Sequence, residues 1–338
     1  MVRTTHATTL APSRLRRLAL AFAGLGAVVA AAGCGASETT SLTHASAGRI
    51  VVTASFYPLE EAVRAIGGTH VRVDDLTPVG GEPHELELRP RQLAALERSH
   101  LVVYLGDGFQ PQVEKAVASL PSSVRRVDLL EGVRLRAAQV GIAGVRGQVD
   151  GGAGGPEALK GDHDPHVWVD PARFIAMARR IRDALIAADP LDRAAFHANA
   201  GRYLATLRAL DRAFRARLRG CRSPVLVTSH AAFGYLADRY HLAQAAIAGI
   251  SPEAEPDPKS LAATARYAKA HGVRTVFFET LVPRKLAQTV AQTIGARIDA
   301  LNPVEGLTAT EVKAGATYTS LQRHNLDAMV RGLGCTGS

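Results

Sequence analysis

The sequence predicts an α/β protein made of two βα lobes, each built on a parallel sheet and joined by one long rigid linker helix. Two observations carry this. Short β-branched runs alternate with stretches of helical period in both halves of the chain, and such alternation implies parallel strands with helices on the sheet faces. Between the halves, the stretch after Asp189-Pro190 keeps Phe196, Ala200, Tyr203, Leu207, Leu210, Phe214 and Leu218 at steps of three and four. A helix of about thirty residues, roughly 45 Å long, would reach across two lobes. With 338 residues, 47% of them hydrophobic, the chain is long enough to bury two cores.

Taken in order, the chain opens with Arg3, Arg14, Arg16 and Arg17, without an acid, ahead of an apolar run from Leu18 to Ala32. This is the pattern of an export signal over residues 1–33, and the run is too short for a membrane span. Ala31-Ala32-Gly33-Cys34 resembles a bacterial lipobox, so Cys34 is expected to be lipidated and to become the mature N-terminus; a plain secretory peptide is the alternative. Removing four arginines lowers the formal net charge from +9 to +5. That excess is modest, and with no basic run interleaved with aromatics nucleic acid is not an expected partner. Residues 34–48, rich in Ser, Thr, Ala and Gly, read as a flexible tether.

An N-terminal lobe is expected over 49–188. Its strands fall at Ile50 to Ser55, Val71 to Leu76, Leu101 to Leu105 and Val124 to Leu129, with helices at Pro58 to Gly67, Pro90 to Ser99 and Gln110 to Leu120. Residues 139–161 then carry eight glycines and no histidine, which reads as a mobile surface loop. Asp170-Pro171 and Asp189-Pro190 are helix starts, because Asp caps free N–H groups and Pro fits the first turn. The linker helix is expected over 189–220 and a C-terminal lobe over 221–338. In that lobe strands are expected at Pro224 to Ser229, Ala243 to Ala248, Val273 to Phe278 and Ala296 to Leu301, and the last helix runs from about Glu311 to Gly332. Cys221 and Cys335 precede the first strand and follow the last helix of this lobe. In an exported protein they are expected to pair, two free buried thiols being the alternative.

Ligands of open parallel sheets bind outside the carboxyl ends of strands, and four metal-competent side chains stand in such places. His84 lies in Gly80-Gly81-Glu82-Pro83-His84, after the second strand. His166 lies in Asp164-Pro165-His166-Val167-Trp168-Val169-Asp170-Pro171, just ahead of a helix. His230 follows Thr228-Ser229, and Glu279 follows Phe277-Phe278. Three imidazoles and one carboxylate, two from each lobe, complete a tetrahedral shell for zinc, and nitrogen-rich ligation disfavours magnesium and calcium. Manganese is harder to exclude. Glu82 is a candidate supporting group or alternative ligand. His163 reads as a solvated loop residue, and the segment with Glu253, Glu255 and Asp257 as a surface turn.

Together with Thr228-Ser229-His230-Ala231-Ala232-Phe233-Gly234-Tyr235, Gly249-Ile250-Ser251-Pro252-Glu253 and Phe277-Phe278-Glu279-Thr280-Leu281-Val282, these motifs resemble the ZnuA-type, TroA-like zinc-binding lipoproteins of bacterial ABC importers. The resemblance covers roughly Arg49 to the C-terminal helix. It implies a TroA-like fold, an extracytoplasmic monomer anchored by lipid, a metal held in the cleft by His84, His166, His230 and Glu279, and delivery of zinc to a membrane permease. A manganese or iron carrier of the same class is the nearer alternative. A zinc hydrolase would need an open water position beside a general base, and there is no His-Glu-x-x-His signature; an adhesin would need a protein partner that the sequence does not reveal. The chain departs from many zinc relatives in lacking a histidine-rich loop before the second ligand.

Overall fold

The computed structural model describes residues 48–138 and 163–337. The expected export signal, Cys34, the tether up to residue 47 and the glycine-rich segment lie outside the described residues. The first lobe runs β1 (Ile50–Ala54), α1 (Tyr57–Gly67), β2 (Val71–Asp75), α2 (Pro90–Glu97), β3 (Leu101–Tyr104), α3 (Pro111–Ala118) and β4 (Arg125–Asp128). All four strands are parallel in the order β2-β1-β3-β4. Apolar side chains such as Val52, Ala54, Leu101 and Val103 are buried beneath α1 and α4 (Pro171–Ala188). One element was not expected. β5 (Arg136–Ala137) and β6 (His163–Asp164) form a short antiparallel ribbon that pairs Arg136 with Asp164 and Ala137 with His163.

Asp170 caps α4 by accepting from Ala172 N at 2.9 Å, as its Asp-Pro sequence anticipates. The linker helix, α5 (Arg193–Arg217), is 25 residues long, about 37 Å at ~1.5 Å per residue. It is shorter than expected because Asp189-Pro190-Leu191-Asp192 form a turn rather than a first helical turn. α5 packs on α1 and α4 of the first lobe and on α10 (Tyr318–Leu333) of the second.

The second lobe repeats the pattern with β7 (Val225–Thr228), α6 (Gly234–Arg239), β8 (Ala243–Ala246), α7 (Pro258–Ala270), β9 (Thr275–Phe278), α8 (Lys285–Ile294) and β10 (Arg297–Ala300). Its parallel sheet has the order β10-β9-β7-β8. The single terminal helix expected from Glu311 is in fact two. α9 (Ala309–Lys313) ends before Gly315, whose φ of 65° is open to glycine but strained for other residues. Thr317 then caps α10 by accepting from Ser320 N. Cys221 and Cys335 are joined by a disulfide that ties the entry to β7 to the end of α10.

Several contacts hold the lobes together. Trp168, fully buried, donates from Nε1 to Pro303 O at 2.9 Å, while Tyr318 donates to Trp168 O at 2.7 Å. Gly80 N donates to Leu307 O at 2.8 Å. On α1, the half-buried Glu61 accepts from Tyr57 at 2.7 Å, from Tyr203 of α5 at 3.4 Å, and from the backbone N–H of Tyr318 at the start of α10. One carboxylate thereby touches both lobes and the linker.

Candidate metal centre

In each sheet the strand order reverses beside the first strand, between β1 and β3 and between β7 and β9, and such switch points open a crevice at the carboxyl ends. His230 stands two residues beyond the end of β7 and Glu279 directly after β9. His84 comes from the β2–α2 connection, His166 from the stretch between β6 and α4, and Glu305 from the β10–α9 connection. Two of the rings pack against aromatic neighbours. The His84 ring lies edge-on to Phe109 with centroids 4.7 Å apart, and the His166 ring lies 5.1 Å from Trp168.

Four buried donors converge. His166 Nε2 lies 3.3 Å from His84 Nε2 and 3.2 Å from His230 Nε2. Glu305 Oε1 lies 3.4 Å from His166 Nε2, 3.4 Å from His230 Nε2 and 3.7 Å from His84 Nε2. A tetrahedron with zinc–ligand bonds of about 2.0 to 2.1 Å has edges of about 3.3 to 3.4 Å, so these separations fit one central ion. His84, His166, His230 and Glu305 are also the one such group of possible metal-binding side chains found among the described residues.

The far side of two of the rings sets their orientation. Asp164 Oδ1 accepts from His166 N at 3.0 Å and from His166 Nδ1 at 2.9 Å. Glu279 accepts from His230 N at 3.0 Å through Oε1 and from His230 Nδ1 at 2.7 Å through Oε2. With Nδ1–H donating outward, each Nε2 turns a lone pair inward, and the carboxylate behind it raises the basicity of the ring. Lone pairs facing each other at such distances repel unless a proton or a metal ion stands between them. The same holds for Glu305 Oε1, which is buried and has no hydrogen-bond partner among the described residues.

Glu279 therefore does not take the place expected of it. Both of its oxygens are engaged by the N–H groups of His230 on the neighbouring strand, and the fourth convergent donor is Glu305, which the sequence reading missed. The available signal was weak: Glu305 lies in Asn302-Pro303-Val304-Glu305-Gly306, also a loop after a strand, but five residues from its end. Val304 sits at φ 62°, a costly conformation for a β-branched residue. It is held there by Asn302, whose side chain accepts from Val304 N at 2.7 Å and whose backbone is clamped by Asn325. Glu82 is near enough to feel the charges of Glu305 and His230 and has one buried oxygen without a hydrogen-bond partner among the described residues. His163 lies outside the convergent group, 47% exposed and 3.2 Å from Asp107.

Electrostatics separates the three rings. Burial lowers the pKa of His84 to about 4. Burial acts in the same direction on His166 and His230, but Asp164 and Glu305 outweigh it for the first, and Glu279 and Glu305 for the second, so both are raised. Burial opposes ionisation of Glu305, yet His230, His166 and His84 hold its pKa well below the carboxylate range. Burial and the nearby charge of Glu305 push Glu82 up to about 8.

Residues 52–332 match the ZnuA family, described as zinc-uptake complex component A, periplasmic. The chain belongs to this family. It is 34% identical over 288 residues to the zinc-binding protein AdcA of Streptococcus pyogenes serotype M3, a match covering 83% of this chain and 56% of AdcA. The chain thus spans little more than half the length of that relative. With the high-affinity zinc uptake system protein ZnuA of Bacillus subtilis it shares 31% identity over 307 residues, covering 88% of this chain and 92% of ZnuA. Among solved structures, the Zn(II)-bound ZnuA-like domain of Streptococcus pneumoniae AdcA superposes with a TM-score of 0.70 at 32% identity, covering 85% of this chain and 99% of that domain. The family and these neighbours agree with the two-lobed α/β architecture with parallel sheets.

Proposed function

We propose that this protein captures zinc outside the cytoplasm, holds it between its lobes through His84, His166, His230 and Glu305, and delivers it to an ABC importer in the membrane. The observation that carries this reading is the convergence of three Nε2 atoms and Glu305 Oε1, five of whose six separations lie at 3.2 to 3.7 Å, close to the edges of a zinc tetrahedron. The zinc-binding and zinc-uptake names of the relatives support it. With four protein donors the ion has no open position for a reactive water, which favours a carrier over a hydrolase. The domain plan belongs to the same proposal: a lobe over 49–188, a linker helix within 189–220 and a second lobe over 221–338, released as a monomer from a signal peptide and anchored by lipid on Cys34.

Titration of the purified mature chain with zinc and with manganese, each against a chromophoric chelator, tests the cargo. One zinc per chain, held much more tightly than manganese, is expected; preference for manganese would overturn the zinc reading. Cys34→Ala tests the anchor, because the variant should leave the membrane fraction or accumulate as uncleaved precursor. An unchanged membrane fraction would remove lipidation from the proposal.

A further inference from the structure

The acid behind His166 is tied to the opposite lobe through Arg136 and Tyr235. Arg136 pairs with Asp164 across the β5–β6 ribbon, and its Nε lies 4.0 Å from Asp164 Oδ2, the oxygen not used by His166. The same guanidinium forms an ion pair through Nη1 with Asp238 on α6. Two further links join ribbon to helix: Arg136 N donates to Tyr235 Oη at 2.9 Å, and Tyr235 Oη donates to Asp164 O at 2.6 Å. The approach is close enough to demand glycine at the start of α6, since a Cβ on Gly234 would stand 2.7 Å from Asp164 Oδ2 and 3.2 Å from Arg136 Nε. Arg173, from α4, covers the Tyr235 ring at 4.4 Å.

This clasp lies at the rim of the seam and not in the core. A surface pocket of about 280 Å³, bordered by Asp170, Arg173, Tyr235, Asp238 and Arg239, runs beside it. The side chain of Asp238 is 64% exposed, whereas that of Asp164 is buried. Arg136 thus joins a buried acid that aims a metal-facing ring to an exposed acid on the other lobe. The clasp meets the convergent donors through Asp164, which holds His166 by two N–H groups.

We propose that Arg136 is a positioning residue for cargo release, coupling the seat of α6 to the grip of His166. The inference rests on the zinc-carrier reading above. While α6 is seated, Arg136 and Tyr235 fix Asp164, and Asp164 fixes the ring so that Nε2 points at the ion. When α6 moves away, as opening of the lobes requires, Asp238 and Tyr235 leave together and Asp164 loses its outside support. His166 then becomes the first donor free to turn from the ion.

The test measures zinc release into excess chelator by stopped flow for the parent and for Arg136→Met, Asp238→Asn, the double variant and Arg136→Lys, with melting of the metal-free forms as the folding control. A part-exposed ion pair contributes up to about 1 kcal/mol, about fivefold, and a direct partner of a metal ligand about ten- to a hundredfold. Asp238→Asn should therefore speed release about three- to fivefold and Arg136→Met about three- to tenfold. The double variant should be no faster than Arg136→Met, and Arg136→Lys should recover part of the loss. Asp238, exposed and not among the convergent donors, provides a variant that is not expected to disturb folding. Unchanged release in Asp238→Asn, or rates that multiply in the double variant, would overturn the coupling. A parent that fails to bind one zinc would instead overturn the carrier reading, so the two failures are distinguishable.

Discussion

Replacing Glu305 by glutamine removes the one carboxylate from the four convergent donors while keeping the volume of the side chain. Oε1 lies 3.4 to 3.7 Å from the three Nε2 atoms, so an ion at the centre would sit about 2 Å from it. At that separation a divalent cation and a carboxylate attract by about 17 kcal/mol with an effective dielectric near 20. Most of this is offset by the hydration both ions lose, and removing one partner of a buried pair costs about 3 to 5 kcal/mol net. The expected loss of zinc affinity is about 10²- to 10⁴-fold. Glu279→Gln leaves all four donor atoms in place and disturbs only the support of His230, so its loss should be about ten- to a hundredfold. Competition titration with a chelator ranks the two. Melting gives an independent check: zinc at a hundred times the parent's Kd should stabilise the parent by about 2.7 kcal/mol, and Glu305→Gln should lose most of that gain at the same zinc concentration. If Glu279→Gln binds more weakly than Glu305→Gln, the assignment of the fourth donor from the convergent distances is wrong.

Zinc binding near neutral pH should release protons, because His166 and His230 have raised pKa values in the metal-free protein and must deprotonate to ligate. Affinity should then fall as pH drops through that raised range, and calorimetry in buffers of different ionisation enthalpy should show release; no dependence on buffer would contradict it. Cys221 and Cys335 enclose a long loop, and on the chain-entropy model opening it should cost about 4 to 5 kcal/mol. Comparison of melting for the oxidised and reduced protein checks this, with an unchanged midpoint counting against it. Burial raises the pKa of Glu61, so the folded state keeps a proton that the unfolded chain gives up. Stability of the metal-free protein should therefore decline as pH rises from the ordinary carboxylate range toward the raised value. Glu61→Gln should flatten that decline, and a melting profile against pH with the parent's slope would refute it.

Much of the fold was legible because its signals are local. Short strand-like runs set between stretches of helical period mark the eight strands of the two parallel sheets, and Asp170, ahead of a proline, caps α4 as its sequence suggests. The misses lie where local period is uninformative. A two-residue ribbon such as β5–β6 has no period to detect, and its existence depends on Arg136 meeting Asp164 across a long intervening segment. The break between α9 and α10 falls in Lys313-Ala314-Gly315-Ala316-Thr317, where only one glycine interrupts a plausible helical stretch.

Three of the four convergent side chains, His84, His166 and His230, were legible in the sequence, whereas the β10–α9 loop that supplies Glu305 was not. Strand order brings His230 and Glu279 to one crevice, and a carboxylate at that position can point at the ion or at the neighbouring histidine. What decides is the partner nearest each oxygen: His230 offers a backbone N–H and a ring N–H on the same side, and Glu279 takes both. Asp164 does the same for His166. The two lobes thus use one device, a carboxylate gripping its histidine by two N–H groups so that Nε2 faces inward. Once Asp164 and Glu279 are committed to that task, the remaining charge must come from an acid whose surroundings offer it no such donor. Glu305, buried and held on a strained turn between Asn302 and Gly306, meets that condition. Its position five residues beyond the strand is what kept it from being read directly off the sequence.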